Sequence, residues 1–207
     1  MKVMAGAGHS ALAALQDIVE PGGIIFLHGL ESGPRGNKSR WLQENISAFA
    51  VDLDTTAARA LRLTAQAQGL DYGPDNPAFE RAFSTPMARA RRALRDHPAK
   101  VLVGSSFGGA VLLKLIHEGS WTGPSVFVAQ AGIKLTEYRA LPDDIPAILL
   151  HGLNDMEIPI AHSRMLAENS GPMVQLWEID DGHRMHSILD NGMLATAILA
   201  SINLSTI

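Results

Sequence analysis

The sequence of 207 residues contains no cysteine, which excludes disulfide bonds, thiolate zinc sites and a cysteine nucleophile. It has no excess of positive charge, because 17 Lys and Arg stand against 21 Asp and Glu, for a net charge of −4. Such a chain has no overall basic field to hold the phosphates of a nucleic acid or an anionic membrane. No apolar run approaches the roughly 20 residues that span a bilayer. We therefore expect neither a nucleic acid nor a membrane among its partners.

The amino-terminal segment lacks the pattern of a secretory signal. A signal peptide needs an uninterrupted apolar stretch of roughly 7–15 residues after a positively charged start. Here Gly6, Gly8, His9 and Ser10 interrupt the stretch, and only Lys2 supplies positive charge. Together with the absence of cysteine, this pattern favours a cytoplasmic protein.

The length and the composition predict one globular domain. A domain typically holds roughly 100–200 residues. The chain is 46% hydrophobic and 18% charged, as expected of a chain that folds around a core. We expect a single domain over residues 1–207, in which residues 1–22 form either a peripheral helix or an arm.

Short apolar runs alternate along the chain with longer stretches that are compatible with helices. Runs without polar alternation predict strands covered on both faces at 23–27, 100–103, 125–129 and 146–150, with weaker candidates at 48–53 and 173–179. Helical stretches are predicted at 37–45, 77–97, 107–118, 160–168 and 187–202, and residues 55–76 read as a helix followed by a loop. This alternation predicts an α/β fold: a mostly parallel central sheet of about six strands with helices on both faces.

One motif indicates a nucleophile. The pattern G-x-S-x-G occurs at residues 104–108 with Ser106 in the centre, between a predicted strand and a predicted helix. This is the context of a nucleophile elbow, in which the serine occupies a strained turn and the two glycines remove side chains that would collide with it. The helix that follows directs its amino terminus, and hence its positive dipole end, toward the serine.

A serine hydroxyl needs a base, usually a histidine oriented by a carboxylate. In this arrangement the carboxylate and then the histidine follow the serine in the chain. The segments after the last two predicted strands supply several candidates for each. Base candidates are His183 and His186, and acid candidates are Asp155, Glu157, Asp180 and Asp181. All follow strand carboxyl ends, the edge at which open α/β sheets bind ligands.

Four motifs in order resemble the α/β-hydrolase superfamily. They lie at residues 26–30 (FLHGL), 104–109 (GSSFGG), 151–159 (HGLNDMEIP) and 181–183 (DGH). The early loop at residues 31–39 is similar to that of small, lidless YqiA-type serine esterases. The resemblance implies a minimal α/β-hydrolase fold. Residues 131–146, where larger members insert a cap domain, are too few to form one, so we expect an open site for small or flexible acyl groups.

The resemblance also implies a role for each site residue. Ser106 would be the nucleophile, His183 the general base, and Asp155 the carboxylate that orients it; these are favoured over the competing candidates. The backbone N–H groups of Leu30 and Phe107 would form the oxyanion hole. We further expect His28, Gly29 and Ser105 to contact the substrate.

The expected function is hydrolysis of carboxylic esters through an acyl-enzyme, with a small-molecule substrate and with no metal or organic cofactor. A thioesterase or amidase with the same residues remains an alternative, as does a non-catalytic protein that binds a ligand or partner. A metal site at Asp181, His183 and His186 is disfavoured because their spacing matches no established ligand pattern. Arg35, Lys38 and Arg40 could recruit an anionic substrate or could belong to a solvated loop.

Overall fold

Six parallel strands form one sheet in the order β2-β1-β3-β4-β5-β6. A computed structural model describes the backbone of residues 2–206 and the side chains of residues 8–206. The strands are β1 (Ile24–Leu27), β2 (Phe49–Val51), β3 (Val101–Ser105), β4 (Ser125–Val128), β5 (Ala147–Gly152) and β6 (Val174–Ile179). All neighbouring strands pair in parallel. The predicted fold class is therefore confirmed, including the two weaker strands.

Alternate residues of the central strands supply two separate hydrophobic cores, one on each face of the sheet. In β1, Ile25 and Leu27 enter one core, whereas Ile24 and Phe26 enter the other. The same alternation continues in β3, β4 and β5. Successive strand side chains point to opposite faces, so a strand covered on both faces has to be apolar throughout. This explains why these strands appear in the sequence as continuous apolar runs.

Helices cover both faces. The helices α3 (Thr56–Ala67), α4 (Phe79–Asp96), α5 (Phe107–His117), α6 (Gly132–Leu135) and α7 (Ile160–Glu168) contribute to the core that contains Leu27. The helices α1 (Lys2–Ile18), α2 (Asn37–Ile46), α8 (Ser187–Asp190) and α9 (Met193–Leu204) contribute to the core that contains Phe26. No helix within residues 2–206 combines the length and the apolar character required to cross a bilayer.

In three segments the structure adds to the sequence prediction or differs from it. Residues 2–18 form a helix rather than an extended arm, and Ala11 and Leu15 on this helix are buried. The helix predicted over residues 187–202 is divided into α8 and α9, because Gly192 adopts a left-handed φ of 73° that ends the first helical turn. The short helix α6 was not predicted and lies in the segment that is too short for a cap domain.

Candidate active site

Three loops at the carboxyl edge of the sheet bring distant residues together. Ser106 directly follows β3, Asp155 follows β5, and His183 follows β6. Because the strands are parallel, their carboxyl ends lie at the same edge, and the loops that leave them converge there. Residues separated by up to 77 positions in the sequence are thus in hydrogen-bonding contact.

Ser106 occupies a strained turn. Its φ of 52° and ψ of −113° lie in a region that side-chain-bearing residues rarely adopt. The turn is held by backbone hydrogen bonds on both sides of the residue: Ser106 N–H donates to Val128 O at 2.8 Å, and Ala131 N–H donates to Ser106 O at 3.0 Å. Strain of this kind persists only where the surrounding structure imposes it, and it occurs most often at functional sites.

The two glycines of the motif permit this turn through close backbone contacts. A Cβ atom on Gly104 would lie 2.6 Å from the carbonyl oxygen of Gly108. A Cβ atom on Gly108 would overlap the carbonyl group of Leu27 at the end of β1. Neither position can hold a side chain without displacement of the backbone. The groups that a side chain would meet are the facing glycine and the end of β1, and not the serine that the sequence analysis expected.

The side chains of Ser106, His183 and Asp155 form a continuous chain of hydrogen bonds. His183 Nε2 lies 3.0 Å from Ser106 Oγ, and His183 Nδ1 lies 2.7 Å from Asp155 Oδ2. Because a carboxylate only accepts, Nδ1 carries the proton and Nε2 is free to accept the serine hydroxyl proton. The histidine is therefore held in the tautomer that a general base requires.

Asp155 is the carboxylate best placed to orient His183. Its side chain has no exposed surface, and its Oδ1 accepts backbone N–H groups from Glu157 and Ile158, both at 2.9 Å. The Glu157 carboxylate is 58% exposed and lies 3.8 Å from His183 Nε2, beyond hydrogen-bonding distance. These two hydrogen bonds fix the orientation of the buried carboxyl group, so that its Oδ2 faces the His183 ring.

The other candidates have different contacts. Asp180 is exposed and accepts the Asn154 amide at 2.9 Å. Asp181 accepts the N–H and the hydroxyl of Ser187, which tethers the loop to α8. His186 is exposed at the start of α8.

The backbone N–H groups of Leu30 and Phe107 donate no hydrogen bond within the described part of the chain. Both residues line a cavity together with Ser106 and His183. The Leu30 carbonyl accepts the buried hydroxyl of Thr55 at 2.8 Å, and the Phe107 ring packs edge-on against Phe83. Two free donors on anchored residues beside a serine can stabilise an oxyanion.

Two cavities flank Ser106. The first, of about 330 Å³, has an apolar side formed by Leu30, Leu70, Phe107, Ala131, Leu135 and Ile158. Residues of α3 and of the loop that joins α3 to α4 also line it. The second, of about 530 Å³, is more polar and includes Ser105, Lys38, Arg184 and His186. Both also include His183 and Glu157.

The architecture matches known structures over most of the chain. One neighbour is a protein of Xanthomonas campestris pv. campestris placed in the alpha/beta superfamily of hydrolases, with 22% identity and a TM-score of 0.63 over 91% of this chain and 100% of that one. A second is mouse alpha/beta hydrolase domain-containing protein 10, with 18% identity and a TM-score of 0.57 over 89% and 91%. The chain has the α/β-hydrolase fold. No family model and no curated sequence matches it, so the likeness is one of structure.

A third match, to the structure of YahD with malic acid, has 16% identity and a TM-score of 0.60 over 84% of this chain and 91% of that one. At this level of identity, the matches establish the α/β-hydrolase fold alone. The function has to be argued from the residues at the site.

One predicted substrate contact is not found in this α/β-hydrolase fold. The His28 side chain is buried and lines neither cavity. Its Nε2 accepts the Leu53 N–H at 3.2 Å, so its Nδ1 carries the proton and donates to Gly29 O at 2.8 Å. These two hydrogen bonds hold the loop that carries Leu30. Gly29 and Ser105 line the second cavity, and their contact with substrate stays a prediction.

A buried network beneath Asp155 was not predicted. His151 Nε2 donates to Ile158 O at 3.0 Å and lies 3.3 Å from Asp155 Oδ2, while its Nδ1 accepts the Ser163 hydroxyl at 2.7 Å. Ser163 in turn accepts the Gln130 amide at 3.2 Å. The His-Gly-x-x-Asp pattern at residues 151–155 is the only local signal of this network, because its other members lie on separate elements. Among the described side chains, no group of three or more His, Asp or Glu residues could hold a metal ion.

The two buried histidines make stability sensitive to acid. Burial lowers the pKa of His28 and of His151 below the ordinary value of 6.5, because it disfavours the imidazolium form. Below about pH 6.5 the unfolded chain gains protons that the folded chain cannot accept. The free energy of unfolding should therefore be highest above that pH and fall as the pH decreases, by about 1.4 kcal/mol per pH unit for each histidine.

Urea unfolding between about pH 7.5 and pH 5 measures this dependence. A His28→Asn variant should be less stable at neutral pH, but its stability should vary with pH less steeply than that of the wild type. An unchanged slope in this variant would show that His28 does not contribute to the acid sensitivity.

Proposed function

We propose that the chain is a serine hydrolase that cleaves carboxylic esters of small or flexible acyl groups. The observation that supports this most directly is the hydrogen-bond chain from Ser106 Oγ through His183 to the buried Asp155. Activation of a serine hydroxyl requires a histidine that can take the proton on one ring nitrogen. A carboxylate holds that histidine through the other ring nitrogen.

In the acylation step, His183 Nε2 takes the hydroxyl proton of Ser106 while Oγ bonds to the ester carbonyl carbon. The tetrahedral intermediate then collapses, the carbon–oxygen bond to the alcohol breaks, and His183 returns the proton to the departing alkoxide. Asp155 stabilises the imidazolium that exists between these two transfers. The acyl group remains on Ser106 as an ester.

In the deacylation step, His183 takes a proton from water as the water oxygen attacks the acyl carbon. The bond to Ser106 Oγ then breaks, His183 returns the proton to that oxygen, and the carboxylic acid leaves. The N–H groups of Leu30 and Phe107 would stabilise the oxyanion in both steps. Because these donors are oriented before charge develops, they stabilise the transition state more than the ground state.

The cavity volumes favour small substrates. About 330 Å³ on one side of Ser106 and about 530 Å³ on the other provide space for short chains on either side of the scissile bond. Apolar atoms form the larger share of the lining of the first cavity, which suits an aliphatic acyl group, whereas the second cavity offers more polar partners.

Hydrolysis of p-nitrophenyl esters from acetyl to octanoyl tests this function. We expect steady release of p-nitrophenol, with higher kcat/KM for the shorter chains, and a covalent fluorophosphonate adduct on Ser106 in the intact-mass spectrum. Because the same residues could serve all three reactions, kcat/KM is also compared between the best ester and the thioester and amide with the same acyl group. A folded protein with no adduct and no turnover of any of these substrates would indicate a binding protein.

A further inference from the structure

The second cavity contains positive charge beside the serine. Lys38, Arg62 and Arg184 line this cavity together with two carboxylates, Glu31 and Glu157. Arg62 pairs with Glu31 at 3.5 Å, and Glu157 lies against His183. No described carboxylate lies within 4.0 Å of the side-chain nitrogens of Lys38 or Arg184. The cavity is therefore locally positive although the chain has a net charge of −4.

Of these three cations, Lys38 is the one that a hydrogen bond to the backbone holds beside the cavity. It lies in the first turn of α2, is half-buried, and donates to Arg184 O at 2.6 Å. An ammonium group has three N–H donors, and this carbonyl uses one of them. Within the described residues no second acceptor is bonded to Lys38, so two donors remain for a ligand.

The surroundings of Lys38 make an anion a favourable partner. Burial lowers the pKa of Lys38 to about 8, although the negative charge of Asp181 acts in the opposite direction. The Asp181 carboxylate is already bonded to Ser187 and to the Gly182 N–H. A partly desolvated ammonium without its own carboxylate partner is stabilised when an anion binds beside it.

We propose that the second cavity binds an anionic group of the ester substrate, a carboxylate or a phosphate, and that Lys38 is the residue that selects for it. This inference rests on the proposed serine hydrolase activity. The first cavity, whose lining is the less polar of the two and contains two cations and two carboxylates, would hold the uncharged part of the same molecule, so that the scissile bond lies between the cavities at Ser106. Lysine provides a point charge that accommodates either anion.

A purely structural role for Lys38 makes a different prediction. Its hydrogen bond to Arg184 O connects α2 to the loop that carries His183, so loss of the side chain could displace the histidine. Such a displacement would reduce the turnover of charged and neutral esters equally. The ratio of kcat/KM between an anionic ester and its neutral counterpart separates selection from positioning.

Three matched pairs of substrates measure this ratio. The first compares p-nitrophenyl hydrogen adipate with p-nitrophenyl hexanoate and places the carboxylate on the acyl side. The second compares para-acetoxybenzoate with para-acetoxybenzamide and places it on the alcohol side. The third compares para-acetoxyphenyl phosphate with its dimethyl ester and tests phosphate as the anion.

We expect the wild type to prefer the anionic member of at least one pair, and Lys38→Met to lower that ratio by about 10- to 100-fold, the range for a lost hydrogen bond to a charged group. Lys38→Arg should retain part of the preference because it keeps the charge. Lys100→Met is the matched control, since Lys100 also donates to a backbone carbonyl, Ile18 O at 2.9 Å, but lies outside both cavities. Added salt should reduce the wild-type ratio.

Equal loss of both members of each pair in Lys38→Met, or a wild-type preference for the neutral member of every pair, would overturn this inference while leaving the serine hydrolase in place. If the wild type cleaves no ester and gives no fluorophosphonate adduct, the proposed function fails and the inference fails with it.

Discussion

Substitution of Ser106 by alanine should reduce kcat for the best ester by about 10⁶-fold, the loss seen when the nucleophile of such a triad is removed. The change removes the hydroxyl oxygen that lies 3.0 Å from His183 Nε2. Initial rates with a p-nitrophenyl ester, together with intact-mass analysis after fluorophosphonate treatment, measure the effect. The labelled adduct should disappear in the variant.

A double variant, Ser106→Ala with His183→Ala, tests whether the two residues act as a unit. Its residual rate should equal that of the single serine variant, because the histidine has no function without the hydroxyl it activates. Circular dichroism and the urea midpoint show whether the fold is retained. A Ser106→Ala variant that is folded but still active would exclude Ser106 as the nucleophile.

Substitution of Asp155 by asparagine should reduce kcat by about 10⁴-fold. Asparagine can still accept the N–H groups of Glu157 and Ile158 through its carbonyl oxygen, so the loop should remain in place. Its amide group would then face His183 Nδ1 and donate to it. The histidine proton would then be on Nε2, and a protonated Nε2 cannot accept the proton of Ser106. The pH–rate profile and kcat of the variant measure the effect.

Asp180→Asn is the matched control for this substitution. The Asp180 carboxylate is exposed and bonded to the Asn154 side chain, so its neutralisation should leave kcat unchanged. Glu157→Gln tests the nearest competing carboxylate. A larger loss in Glu157→Gln than in Asp155→Asn would transfer the orienting role to Glu157.

The fold could be predicted from the sequence because its signals are local. A strand covered on both faces has to be apolar, as the central strands are, and each of the six predicted runs overlaps a strand. The edge strand β6 contains the exposed Gln175 and Glu178, and it was one of the two weaker candidates.

The turn at Ser106 could also be predicted, because the glycines on either side of it are visible in the sequence as G-x-S-x-G. The structure shows that close backbone contacts at Gly104 and Gly108 exclude any side chain. Residues 187–202 were misread as one helix because an apolar helical pattern continues across Gly192.

The contacts of the site were less predictable because their partners are far apart in the chain. His28 was expected to touch substrate, but its ring nitrogen is bonded to Leu53, 25 residues away. Lys38 was one of several cations in an early loop, and its bond to Arg184 O joins residues 146 positions apart. A pattern within a short stretch of sequence cannot predict hydrogen bonds between residues so far apart in the chain.

The sequence by itself determined the parallel α/β architecture, the strained serine turn, and the short lists of histidines and carboxylates that could accompany it, because backbone sterics and burial periodicity act over a few neighbouring residues. Only the tertiary structure shows that His183 contacts the serine and that Asp155 contacts His183, the pair that the resemblance had favoured. It also shows that Lys38, which has no carboxylate partner among the described residues, borders the same site. Those facts depend on how loops from different strands converge, and hydrogen-bond distances of about 3 Å are set by the packing of the whole domain.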